Sequence, residues 1–252
     1  MLNQIKKYVK QALGMGGPTA TMPDSVKDLI ARIREKKLTY LTDKKLLSLS
    51  GTCQDIEKRN LDGLFLEAGC ALGGSSILMA SIKSAQRPLL IYDVFGMIPP
   101  PTDMDTQDVH ERYKTISDGK STGIGGDKYY GYEENLYEIV LSNFRDFNID
   151  CEKQNVQLIK GLLQETMTIN QPVAFAHIDV DWYEPVMTCL TRIFPHLIIG
   201  GSIILDDYHD WGGCRKATDE YLQTVPGEFL LDDSAGSMKI TRSHIQIGLI
   251  PD

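Results

Sequence analysis

LFLEAGCALGGSSILMA, residues 64–80, decides how the chain folds. LFLEAG (64–69) reads as a buried strand that ends in glycine, and GSSILMASIKSA (74–85) reads as the helix after it. A strand that passes through a glycine-rich turn into a helix is the first half of a βα unit. Glycine lets such a turn bend tightly and approach a ligand closely, and the helix start offers backbone N–H groups.

The same texture continues outward. PLLIYDVF (88–95), NVQLIKG (155–161), PVAFAHIDV (172–180) and LIIGGSIILDD (197–207) are further apolar runs, and TCLTRIFPHL (188–197) is a helical crossover between the last two. Strands rich in Ile, Val and Leu that alternate with helices predict an α/β fold with a mostly parallel sheet covered on both faces. GEFLLDD (227–233) and MKITR (238–242) predict a closing antiparallel hairpin, and HIQIGLI (244–250) an extra strand. Upstream, residues 1–60 read as an N-terminal helical extension to a domain of residues 61–252. SVKDLIARIREKK (25–37) and TDKKLLSLSGTCQDIEKRN (42–60) are its helices, with Thr42 or Asp43 as the cap of the second. Between about 97 and 133 the rhythm fails. PPPTDMD and SDGKSTGIGGDKYYGY carry little apolar periodicity, and an insert after a strand end predicts a lid over the ligand crevice.

Bulk properties exclude several classes. A net charge of -8 argues against a nucleic-acid partner. Five scattered cysteines without a C-x-x-C pair suggest reduced thiols and a cytoplasmic protein. No apolar run is long enough to span a bilayer. Residues 1–14 form a basic amphipathic pattern, for which docking or a homodimer contact is preferred over membrane contact.

Three strand ends carry acids. In the turn, Glu67 precedes Gly69, and the spacing E-x-G-x-x-x-G-x-S runs on through Ala71, Gly73, Ser75 and Ser76. This is not the G-x-G-x-x-G of dinucleotide enzymes, and the carboxylate suits a ligand with ammonium or sulfonium charge better than a pyrophosphate. Ser75 and Ser76 are placed to hold a ligand carboxylate. Asp93 ends the next strand, where an acid accepts hydrogen bonds from ribose hydroxyls. Asp179 and Asp181 end another strand, and Asp206, Asp207, His209 and Asp210 follow the next. In a parallel sheet these ends open on one crevice, and converging carboxylates call for a cation. Oxygen ligands favour Mg²⁺ or Ca²⁺, with Mn²⁺ as a further candidate. His177 reads equally as a core histidine or a base.

Together, LFLEAGCALGGSSILMA, IYDVFGMIPPP, KGLLQETM, HIDVDWYEP and GGSIILDDYHDWGGCRKATDEY resemble the macrocin O-methyltransferase family, from about Thr39 to the C-terminal hairpin. The resemblance implies a Rossmann-like class I methyltransferase fold with a seven-stranded sheet. It also implies S-adenosylmethionine (SAM) as methyl donor and a small-molecule hydroxyl acceptor, a sugar of a natural product or glycoconjugate. It implies Asp179, Asp206 and Asp207 as ligands of Mg²⁺ or Mn²⁺. Glu67, Gly69, Ser75 and Asp93 become SAM contacts, and Gly161, Leu163, Gln164 and Asp179 join them. The related catechol enzyme has a base lysine where this chain has Trp182, so Asp179 is the first choice of base, then Asp181, then His209. Phenol-type methylation and a nucleotide-dependent oxidoreductase of similar fold are the alternative activities.

Overall fold

β1 (Leu64–Ala68) lies at the centre of a seven-stranded sheet, and all five of its residues are buried. The structure is a computed structural model that describes residues 24–225 and 229–243. The remaining strands are β2 (Leu89–Asp93), β3 (Val156–Lys160), β4 (Val173–Ile178), β5 (Leu197–Leu205), β6 (Phe229–Asp232) and β7 (Met238–Arg242). Their order is β3-β2-β1-β4-β5-β7-β6. β1 to β5 run parallel, whereas β7 pairs antiparallel with both β5 and β6. The chain order reverses between β1 and β4, and a crevice opens beyond the carboxyl ends of strands at such a reversal.

Alternation along the strands sorts their side chains onto two cores. Phe65 and Phe175 face one layer with Ile33, Leu46, Leu49, Ile77 and Phe144. Leu66, Ala176 and Ile178 face the other with Val186, Leu190, Phe194 and Ala217. The first layer includes α1 (Asp24–Glu35) and α2 (Asp43–Lys58), so the described part of the N-terminal extension is packed as a face of the sheet. Thr42 caps α2 as the sequence suggests, its side chain accepting from Lys45 N at 3.3 Å. The predicted membrane or dimer helix at residues 1–14 and the extra strand at 244–250 lie outside the described residues.

The helices depart from expectation in three places. α7 (Tyr183–Ile193) begins five residues before the predicted crossover segment. α5 (Leu136–Asp146) and α8 (Gly212–Thr224) are not delimited by the strand-based reading. The insert is not irregular throughout, because α4 (Gln107–Ser117) forms within it. Only Val109 and Ile116 of α4 are buried, and two buried positions in eleven leave too faint a periodicity to recognise. α3 (Gly74–Ile82) and the one-turn α6 (Leu163–Thr166) complete the helices used below.

All five cysteines are free thiols, in keeping with the reading of their spacing. No helix of the described residues is long and apolar enough to cross a membrane.

Candidate functional site

Gly69 decides how closely the walls of the crevice approach. Its φ is +81°, and a β-carbon there would stand 1.9 Å from the carbonyl oxygen of Asp179. Gly69 N donates to Tyr92 O at 2.8 Å, and Asp179 N donates to Ala68 O at 2.9 Å, so the ends of β1, β2 and β4 are tied together. Three non-glycine residues near these ends also have positive φ: Ala71 (46°), Phe95 (48°) and Asp181 (54°). Such conformations are sparsely populated and concentrate at functional sites.

Asp93 braces the turn from the next strand. Its carboxylate accepts from Cys70 N at 2.7 Å and from Phe95 N at 2.6 Å. Burial pushes its pKa up, and these backbone donors pull against that rise.

Beside this turn lies a cavity of about 510 Å³. Gly69, Asp93, Gly161, Leu163, Gln164, Asp179 and Asp181 all line it, so the structure gathers the predicted residues of four strand ends at one opening. The insert contributes Ile98, the Pro99–Pro101 run, Asp105 and Tyr130 to the walls. It is pinned from below, with Trp182 Nε1 donating to Pro99 O at 3.0 Å and Tyr183 N to Asp105 Oδ1 at 2.7 Å. Asp105 is a wall residue that the sequence reading did not single out, and Trp182 was noted there only as the replacement for a lysine. A proline run close by was the only local signal for Asp105.

Other predicted residues lie elsewhere. Glu67 and His177 are directly paired in the β1–β4 register and face the first core. Both are wholly buried; Glu67 Oε1 meets His177 Nδ1 at 2.8 Å, and the Ser76 hydroxyl donates to Glu67 Oε2. Gly69 lies beyond the end of β1 and reaches the crevice, while Glu67, within the strand, is held inside by His177 and Ser76. The start of α3 is covered too, because Gly74 N donates to Leu38 O at 3.0 Å. Ala71, Gly73, Ser75 and Ser76 shape the turn without lining the cavity. His209 is half-exposed, with Nε2 3.6 Å from Asp233 Oδ2, and does not line the cavity either.

The acids form two groups. Asp179, Asp181 and Asp207 each offer an oxygen within 4.8 Å of the others, and a second set of Asp206, Asp207 and Asp210 meets the same limit. Asp181 N donates to Asp207 Oδ2 at 3.1 Å, which links the two strand ends. Asp206, expected in the metal set, instead accepts from Lys45 Nζ at 3.1 Å and from Ser237 Oγ at 2.9 Å. The structure therefore gathers Asp179 and Asp207 with Asp181. Burial, then repulsion from Asp207, Asp206 and Asp181, drives the Asp179 pKa well above the carboxylate range. Burial followed by Asp181 and Asp206 does the same to Asp207. Burial also lifts Asp181 to about 6, against the opposing charge of Arg112.

A raised folded-state pKa means that the folded protein binds protons more tightly than the unfolded chain. Stability from these groups is complete below the unfolded value of about 4 and is lost as pH rises through the folded values. Metal-free protein is therefore expected to lose melting temperature between about pH 4 and 6 as Asp181 ionises, and more beyond that as Asp179 and Asp207 follow. Calorimetry with chelator present should show the slope flattened in Asp207→Asn. An identical slope in both proteins would remove the repulsion from the account.

Residues 32–226 match the family model described as Macrocin-O-methyltransferase (TylF). The chain belongs to that family. It is 27% identical over 191 residues to the demethyldecarbamoylnovobiocin O-methyltransferase of Streptomyces niveus, covering 73% of this chain and 67% of that one. It is 26% identical over 194 residues to the mycinamicin III 3''-O-methyltransferase of Micromonospora griseorubida, with coverage of 73% and 69%. The solved structure of the O-methyltransferase NovP superposes with a TM-score of 0.66 at 22% identity, over 96% of this chain and 97% of that one, and shares the fold. As a member of the macrocin-O-methyltransferase family, the chain is a SAM-dependent O-methyltransferase.

Proposed function

We propose that this member of the family methylates a hydroxyl of a sugar in a small-molecule natural product, with a divalent cation assisting at the acidic end of the crevice. One observation carries the reading: a single cavity is lined by Gly69 and Asp93 and by Asp179 and Asp181, two of the acid trio. The two curated relatives are named for natural-product acceptors, which supports the acceptor class.

SAM, when bound, supplies a methyl group on a sulfonium sulfur. Asp93 accepts from the ribose hydroxyls, Leu163 and Gln164 flank the base, and the close approach allowed by Gly69 seats the amino-acid end. Glu67 supports the turn from beneath through Ser76 and His177.

The acid trio fits a hard cation, because its donors are all carboxylate oxygens and burial with mutual repulsion leaves them short of positive charge. Asp179 and Asp207 would hold Mg²⁺ or Mn²⁺, whose chemistry there is to lower the pKa of an acceptor hydroxyl. Asp181 faces the cavity with a pKa of about 6, close to the working range of a general base, and takes the hydroxyl proton. The pinned lid excludes water and fixes the acceptor against this wall.

Calorimetry tests the donor half. Wild-type protein is expected to bind SAM, and Asp93→Ala to weaken it by roughly tenfold to a hundredfold, the loss of one or two hydrogen bonds to a charged group. Unchanged affinity would take the ribose role from Asp93. Labelled SAM with a panel of glycosides tests the acceptor half, and methylation of simple catechols in preference to every glycoside would replace the sugar reading.

A further inference from the structure

α7 and α8 begin just after the loops that end β4 and β5, and neither helix caps itself. The residue before each is a tryptophan, Trp182 and Trp211, and neither makes a side-chain cap bond. An indole is a donor only, so it cannot accept from the free N–H groups of a helix start. The acceptors come from the insert. Asp105 Oδ1 accepts from Tyr183 N at 2.7 Å, and Asp108 Oδ2 accepts from Gly212 N at 3.0 Å. Each bond sets a carboxylate on the first residue of a helix, where it also meets the positive end of the helix dipole.

The chain is shaped for this contact. A β-carbon on Gly213 would stand 2.3 Å from Asp105 Oδ1, and one on Gly212 would stand 2.3 Å from Thr106 Oγ1. The glycine pair therefore lets the start of α8 lie against residues 105–108. Asp105 is held from its own side as well, because its Oδ2 accepts from Thr102 N at 2.9 Å. Lys216 of α8 donates to Met104 O at 2.8 Å, and the rings of Trp182 and Trp211 meet edge to face with centroids 6.0 Å apart. Both helix starts are tied to acids of the strand ends. Asp181 lies two residues before Tyr183, and Trp211 N donates to Asp207 O at 2.9 Å.

We propose that Asp105 and Asp108 are positioning residues, which cap α7 and α8 from the insert and thereby hold the loops of Asp181 and Asp207 in their working arrangement. Seating the insert over the crevice and setting these two loops are then one event. The effect on turnover rests on the methyl-transfer reading of the crevice, whereas the contact itself does not.

Hydrogen exchange read by mass spectrometry on the full chain tests the contact without reference to activity. Asp105→Ala is expected to speed exchange roughly fivefold at the start of α7, the loss of one cap. It should also speed exchange at the start of α8, whose N–H groups Asp105 does not cap, because one insert holds both. Asp108→Ala should show the converse. In either variant kcat should fall about tenfold while SAM affinity changes less than about threefold, the mark of displaced loops rather than lost donor contacts. Asp105→Asn and Asp108→Asn should recover most of the loss, since asparagine caps as well as aspartate. Gly213→Ala, whose methyl expels the Asp105 carboxylate without removing it, should loosen both helix starts and takes the place of Asp105→Ala if that protein does not fold. Exchange that rises only at the helix whose own cap was removed overturns the proposal, as does an unchanged kcat in the double alanine variant. If the wild type methylates no acceptor, the methyl-transfer reading falls, and the exchange pattern alone decides whether one insert holds both helices.

Discussion

Asp207→Asn is expected to reduce methyl transfer about a thousandfold, the kinetic equivalent of roughly 4 kcal/mol. The residue sits where two demands meet. It is one of the three acids whose oxygens converge, and its Oδ2 accepts from Asp181 N at 3.1 Å. On the proposed metal reading, removing its charge weakens cation binding, and it also releases the loop that carries Asp181. SAM affinity should stay within a few-fold, because Asp207 does not line the cavity whereas Asp93 does. The variant should also melt higher than the wild type near neutral pH without metal, since one of three mutually repelling carboxylates is gone. Lower activity with unchanged donor affinity and higher apo stability would be the signature of a residue kept for chemistry at the expense of folding. Labelled-methyl assays, calorimetry and melting curves on one preparation supply all three readings. Full activity after exhaustive chelation would remove the cation from the mechanism.

Gly69→Ala should be the most damaging single-methyl change in the described residues near the crevice. The new β-carbon would lie 1.9 Å from Asp179 O and 2.9 Å from its carbonyl carbon, backbone atoms that no rotamer change can move. The positive φ of +81° adds a penalty of roughly 1–2 kcal/mol for a side chain, and the overlap adds about 1–3 kcal/mol more. For a domain of this size, the combined roughly 2–5 kcal/mol corresponds to a fall of about 4–20 °C in melting temperature. Spreading the β1 and β4 ends also displaces Asp179 from the glycine turn, so SAM binding and turnover should both suffer. Gly126→Ala is the control: its φ of +85° imposes the same backbone penalty, but nothing lies within 4 Å of its β-carbon. A melting temperature for Gly69→Ala no lower than that of Gly126→Ala would show that the strand ends need not approach so closely.

The linear sequence by itself determined the parallel sheet, the turn at 69–76 and the acids at the ends of β2, β4 and β5. These signals are local: a strand shows as an apolar run, and a strand end as the polar residue that stops it. Thr42 as a helix cap was legible for the same reason, since capping involves residues three apart. Helices α4, α5 and α8 were harder because their apolar faces are set by the elements they pack against.

Only the tertiary structure decided which way each acid faces. Glu67 and Gly69 are two residues apart, yet partners from β4 and α3 hold the Glu67 carboxylate in the core while Gly69 borders the cavity. Asp206 and Asp207 are adjacent, yet Lys45 and Ser237 engage the first and leave the second to Asp181. A side chain's direction is settled by the charge and hydrogen-bond partners that meet it, and those partners come from distant parts of the chain. The sequence names the acids, and the packing of α2, β4 and β7 against them assigns each its place.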